Sequence, residues 1–414
     1  MFPQDPGEKP TRRMFQNPLR RKERQPPVQF RGLEALEPRC LLSAVVQAAD
    51  TSDGEPLESS ILSHAQIDAS TAGVPAASIE KINIPIPVFG EPRLGLAARF
   101  ASTGLDDVPA DAYDRAGNVY KARYFDETVD VDPGRGKHNL TSAGGYDIYI
   151  TKLDGDGNLL WAIRIGSTGW DMPRDLAVDD AGNVIVTGAF NNTVDFDPGE
   201  GTCNLISTGG VDNSFIAKYD TDGNLRWARK LHSSNNSNIQ STGLDADRFG
   251  TIYVSGDFFG TPDFDPGVQK FNLKNKRSSS GFVSMFDTDG NFLWARQLGW
   301  SDYLVGRDVA VDSRGNAFVT GYSIDDGRDY NAFVAKIDAG GRLRWKRKIG
   351  GPDYDSGAAI VVGRKGNVFV KGEFTGTVDF DPGLGTKSLT SGHNGGTYVA
   401  KFDTGGKLLW ARRS

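Results

Sequence analysis

Three observations predict an all-β fold. A Gly-Asn-Val-like turn recurs at Gly117, Gly182, Gly250, Gly315 and Gly366, spaced 65, 68, 65 and 51 residues apart. Tryptophan keeps the same beat at Trp161, Trp227, Trp294, Trp345 and Trp410, spaced 66, 67, 51 and 65, so both markers shorten at the fourth unit. Two markers that change together define a duplicated unit. The third observation is the make-up of each unit, short β-rich runs between Gly/Asp/Asn turns with no helical period. Glycine, at 51 of 414 residues, is about 12% against a usual ~7%, as many tight turns require.

The second copy shows the elements in order. Asp175–Asp179 reads as a short apolar strand, Asp180-Ala-Gly-Asn183 as a turn, and Val184–Phe190 as a strand rich in β-formers. Ser214–Tyr219 follows as a third strand, and Asp220-Thr-Asp-Gly-Asn224 supplies hairpin chemistry before the return strand Leu225–Arg229. A lone four-stranded sheet buries little, so neighbouring sheets must stack face to face around an axis. The expected architecture over residues 92–414 is a β-propeller of four-stranded blades, five repeats being clear. Arg93–Phe100 reads as one more fourth strand with Leu96 in the tryptophan place, the start of a partial sixth blade. A fully buried Trp covers about 150–250 Å², on the order of 4–6 kcal/mol as an upper bound, which suits it to hold sheets together.

Aromatics at 10% within 38% hydrophobic residues suffice for real cores, and no run approaches the roughly 18 apolar residues of a membrane span. Residues 1–43 hold nine Lys/Arg against five acids, while the rest of this −6 chain is strongly acidic. An acidic body argues against a nucleic-acid partner. The basic segment precedes Cys40-Leu-Leu-Ser-Ala-Val-Val-Gln-Ala-Ala49, the basic, apolar, small order of an export signal. Leu36, Glu37, Pro38, Arg39, Leu41 and Leu42 resemble the Leu-Glu-Pro-Arg-x-Leu-Leu motif near the N-termini of exported proteins in planctomycete-type bacteria. The resemblance implies a secreted or cell-surface location. Residues 44–91, rich in Ala, Ser, Asp and Pro, read as a linker. Outside Cys40 the only cysteine is Cys203, so the body must hold by packing alone.

The repeating pattern Val-Asp-x-x-Gly-Asn-Val-x-Val-Thr-Gly, Thr-Val-Asp-Phe-Asp-Pro-Gly and Phe-x-Ala-Lys-Tyr-Asp-x-x-Gly-Asn-Leu-x-Trp-Ala resembles the SBBP-like β-propeller repeats of large secreted bacterial proteins. That resemblance implies the fold and carries no settled activity.

Four copies insert an Asp-x-Asp-Pro-Gly loop between the second and third strands: Asp130 and Asp132, Asp195 and Asp197, Asp263 and Asp265, Asp379 and Asp381. In extended backbone both carboxylates of a pair project to one side and can face Ca²⁺, which needs six to eight oxygens. The competing and favoured role is a turn in which Asp accepts backbone amides. Asp154, Asp220 and Asp287 open stretches that look like the start of a calcium loop, but they sit in hairpin position. The third-strand lysines Lys152, Lys218, Lys336 and Lys401 and the arginines Arg229, Arg296 and Arg412 are expected to lie over the sheet faces, paired with acids.

No catalytic residues stand out, and the four His occupy unrelated repeat positions. A single ligand site should use residues that break the repeat. The fourth unit does so with Ser323-Ile-Asp-Asp-Gly-Arg-Asp-Tyr330, making Asp325, Asp326, Arg328, Asp329 and Tyr330 the binding candidates. The expected function is an exported, non-enzymatic, monomeric scaffold for a protein or polysaccharide at the cell surface. The alternative is a polysaccharide lyase or hydrolase with a central-channel site.

Overall fold

The computed structural model describes residues 110–414 apart from 208–212, 232–236, 302, 326–328, 364 and 394. The segments 1–43 and 44–91 and the strand expected at Arg93–Phe100 lie outside the described residues.

Every described element is a strand or a turn, because β-branched and aromatic runs alternate with Asp-x-x-Gly turns throughout. The first sheet comprises Ala110–Tyr113, Val119–Phe125, Asp147–Leu153 and Leu159–Ile165, antiparallel in chain order. The second repeats this with Met172–Val178, Val184–Phe190, Asn213–Tyr219 and Leu225–Lys230. Its first strand begins three residues before the one read from the sequence. The fifth has Asp355–Val362, Val368–Phe374, Gly396–Phe402 and Leu408–Arg413.

The third and fourth units depart from separate sheets. Asn238–Ala246, Ile252–Gly260, Asn275–Phe286 and Phe292–Leu298 join Tyr303–Val311, Ala317–Asp325, Asp329–Ile337 and Leu343–Ile349 in one eight-stranded sheet. The link is a parallel bridge between Ser279 and Tyr303. Its cause is the 12-residue strand Asn275–Phe286, longer than its counterparts, which reaches the start of the next unit.

Apolar residues from facing units meet between them. Val186 and Phe215 cluster with Ile148 and Ile163, and Ile360 and Phe374 cluster with Phe318 and Val334. Side-chain carboxylates staple successive first strands: Asp175 accepts the Leu244 amide at 2.6 Å, Asp245 that of Val311 at 2.8 Å, and Asp308 that of Ile360 at 2.8 Å. A bulge in each of these strands leaves Arg174, Thr242, Arg307 and Ala358 out of the ladder register. A bulge re-aims the extra residue, so these four positions are freed from pairing.

Among the described residues no comparable packing joins the fifth unit to the first. The closed ring expected from the sequence is therefore not made by these strands alone.

Candidate functional site

The Asp-Pro-Gly loops are turns at the tips of short ribbons such as Thr193–Asp195 paired with Asn204–Ile206. Asp195 Oδ1 accepts the amides of Asp197 and Cys203 at 3.1 and 2.8 Å, and Asp197 Oδ1 accepts the Gly199 amide at 2.9 Å. Asp130 and Asp132, Asp263 and Asp265, and Asp379 and Asp381 repeat the arrangement. The amides of His138 and Asp132 hold Asp130 below the usual carboxylate range. Gly201 closes around Asp197, where a Cβ would collide with the carboxylate. These acids are turned onto their own backbone, and among the described residues no three His, Cys, Asp or Glu side chains gather to hold a metal. The amide bonds engage Oδ1 of each carboxylate. A chelator is expected to leave the melting midpoint unchanged, and a drop of several degrees on adding EDTA would restore calcium as a structural ion.

The tryptophans act as latches between consecutive units. Trp161 donates Nε1–H to the Thr221 carbonyl at 2.9 Å, Trp227 to Thr288 at 3.1 Å, Trp294 to Ala339 at 3.1 Å and Trp345 to Thr404 at 3.0 Å. Each acceptor sits in the hairpin turn of the following unit. The turn presents a glycine to the indole: a Cβ at Gly290, which has φ of 76°, would stand 2.9 Å from the Trp227 ring. Only Trp227 is nearly buried, at 9% exposure, and the other four are half-buried, so full burial was too generous for them. The indole of Trp410 finds no acceptor among the described residues. Gly117, Gly182, Gly250, Gly315 and Gly366 mark the opposite set of turns, all with positive φ.

The cations over the faces take varied partners. Lys218 pairs with buried Asp179 at 2.9 Å, while Lys336 and Lys401 stand over Phe318 and Phe369. Arg229 and Arg412 stack on Trp227 and Trp410.

The fourth unit holds the arrangement that breaks the repeat. Tyr303 stacks on Tyr322 with ring centres 6.2 Å apart, Tyr322 meets Tyr330 at 5.5 Å, and Tyr330 meets Tyr354 at 5.3 Å. Strand register explains the convergence: Tyr303 pairs with Ile324 and Val305 with Tyr322, so both tyrosines share a face, and Ile324 pairs with Tyr330 on that face. The bulge residue Arg307 lies over the Tyr322 ring at 5.2 Å and donates a long hydrogen bond to the Tyr354 hydroxyl at 3.4 Å. Tyr330 is 36% exposed, and Arg307, Tyr303, Tyr322 and Tyr354 are half-buried. Burial, then the Tyr303 hydroxyl bonded to it, pushes Tyr322 well above the ordinary phenol range. Arg307 has no carboxylate partner among the described residues.

Of the sequence candidates, Tyr330 belongs to this cluster. Asp325 is occupied by Lys348 at 2.9 Å, Asp329 pairs with Asp325 across the ladder, and Asp326 and Arg328 lie outside the described residues. Tyr303, Tyr322, Tyr354 and Arg307 were missed. Their signal was present, since four of the chain's 12 tyrosines fall between 303 and 354. A second aromatic run, Tyr124–Tyr146–Trp170, ends in a Trp170 that is 64% exposed.

Several carboxyls are buried without a full cationic counterpart. Burial raises Asp171, Asp257 and Asp355 to about 6. Asp171 accepts the Asn191 and Ser167 amides, Asp355 those of Gly351 and Thr375, and Asp257 the Ser279 hydroxyl at 2.6 Å. An open cavity of about 660 Å³ lies at the rim between the second and third units, lined by Arg229, Lys230, Asp265, Val268 and Phe292 among others.

With a repeated all-β unit and antiparallel sheets in place, the beta-propeller repeat family (SBBP) matches residues 293–327. That match spans a single repeat, and it supports a relationship to repeat propellers. It is similar to a WD repeat-containing protein of Acanthamoeba polyphaga mimivirus, 25% identical over 65% of this chain and 22% of that one. It is also similar to the regulatory protein FlaEY of Caulobacter vibrioides, 27% identical over 37% of this chain and 18% of that one. The chain thus spans about a fifth of the length of these relatives. A solved protein of unknown function from Dyadobacter fermentans aligns over 75% of this chain and 94% of that one, at 11% identity and a TM-score of 0.41.

Proposed function

We propose that this chain is an exported, non-enzymatic β-propeller scaffold of five or six four-stranded blades. It binds a polysaccharide or protein at the cell surface through the tyrosine face of its fourth repeat. The observation that carries the reading is the Tyr303–Tyr322–Tyr330–Tyr354 cluster with Arg307 over it, a break in the repeat made of residues suited to a ligand. Aromatic faces with a few directed polar groups are the usual make-up of a binding surface. The Leu36–Leu42 motif supports export.

A second reading, a polysaccharide-acting lyase or hydrolase, draws on Asp257, whose raised carboxyl suits proton transfer near neutrality. Hydrolysis needs two flanking carboxyl groups, and a tyrosine base needs a lowered phenol pKa, whereas burial has raised Tyr322. Binding is therefore favoured over turnover.

Tyr330→Ala is expected to weaken binding to any glycan that the natural protein takes up on an array about tenfold or more while leaving the melting midpoint within about 2 °C, because a partly exposed ring contributes little to the fold. Glycan-array and calorimetric titration of both proteins check this. Equal affinities would move the site elsewhere.

A further inference from the structure

Resting on that reading, we infer that the ligand of the tyrosine face is a carboxylated sugar, a uronate within a polysaccharide strand, with Arg307 as the group that takes its carboxylate. Three features of the site carry this. Arg307 sits at a first-strand bulge, out of the ladder, where the corresponding residues are Arg174, Thr242 and Ala358. Its guanidinium is anchored from one side by the Tyr322 ring and spends one donor on the Tyr354 hydroxyl, so the fork keeps donors free. No ion pair joins it to an acid among the described residues, although this chain carries 53 acids against 47 basic residues; Asp257, the acid whose charge also reaches Tyr322, takes the Ser279 hydroxyl.

An uncompensated, half-buried guanidinium is a poor structural element. It becomes a good one when a carboxylate completes it, because the planar fork and the carboxylate meet through two parallel hydrogen bonds. Tyr322 lies under the cation and Tyr330, the exposed ring, stands beside Tyr322 at 5.5 Å, where an aromatic ring suits the C–H face of a pyranose. The combination asks for a ring and an acid in one residue, which a uronate supplies. A free phosphate or an acidic peptide would use the fork and leave the tyrosines idle.

The test is calorimetric titration of the full chain with oligogalacturonate and oligomannuronate, each also as its methyl ester, which keeps the ring and removes the charge. At least one free acid is expected to bind about tenfold or more tighter than its ester. Arg307→Gln should bring acid and ester within about twofold, and Arg307→Lys should restore only part of the preference, since charge returns without the fork. Tyr330→Ala should weaken both ligands together. If acid and ester bind alike to the natural protein, the uronate inference falls and the carbohydrate reading stands. If neither acid nor ester binds, the carbohydrate reading falls as well. Should Arg307→Gln lower the melting midpoint, Arg307→Lys still decides, because a full preference in that variant would show that charge alone suffices and overturn the fork.

Discussion

Trp227→Ala is expected to be the most destabilising single change in this protein, costing about 3–5 kcal/mol, the range for a large aromatic removed from a packed site. Trp227 is the most buried of the five repeated indoles, and it joins two units rather than filling one. Its Nε1–H is satisfied by the Thr288 carbonyl of the following unit, its face covers Gly290, and Arg229 lies over the ring at 5.5 Å. Truncation opens a cavity and leaves that carbonyl with only the longer bond from Lys218 Nζ at 3.3 Å, and the two losses reinforce each other. Trp410→Ala is the internal comparison: its indole touches Phe369 and Arg412 but has no acceptor among the described residues, so a smaller loss is expected. Thermal and urea unfolding of both variants check the order. Equal losses would mean that the tryptophans stabilise their own sheet and not the junction.

The second large effect is with pH. Asp171, Asp257 and Asp355 sit at about 6 in the folded chain against an unfolded value near 3.9. A carboxyl raised by folding binds its proton more tightly in the native state. Its contribution to stability is fully present below about pH 4 and is lost as pH rises through 6. At about 1.4 kcal/mol per pKa unit, the fully buried Asp171 alone is on the order of 3 kcal/mol. Asp154 and Asp220 work in the opposite sense, since the hydrogen bonds from Asn158 and Asn224 hold them low against the burial that raises Asp220. Their contribution is present above about pH 4 and is lost only as pH falls further. The melting midpoint is therefore expected to fall between pH 5 and pH 7.5, with the optimum close to pH 5. A midpoint that climbs over that interval would show that these three carboxyls are solvated in solution.

How much could be read from the residues depends on the range of the interaction. Strand and turn positions were legible because their determinants are local: Asp220 accepts the amides of Asp222 and Asn224, two and four residues on, and such a turn forms wherever that spacing occurs. The turns of the Asp-Pro-Gly loops were legible for the same reason, although Gly201 closing on Asp197 went unnoticed. The tyrosine site was only half legible. Tyr330 stood out as a break in the repeat, but its partners lie on three other segments, and nothing in the spacing of 303, 322 and 354 says that they share a face until strand register places them.

Repetition alone thus prescribed the unit, its strands and its turns, since hydrogen bonds a few residues long and a two-residue side-chain period are written in order along the chain. The carbonyl that each indole takes some sixty residues away belongs to the packed molecule, as does the merging of the third and fourth sheets. So do the raised carboxyls and the placing of the Arg307 guanidinium over Tyr322. Burial and juxtaposition depend on which faces meet in three dimensions, and that meeting is a property of all the sheets together.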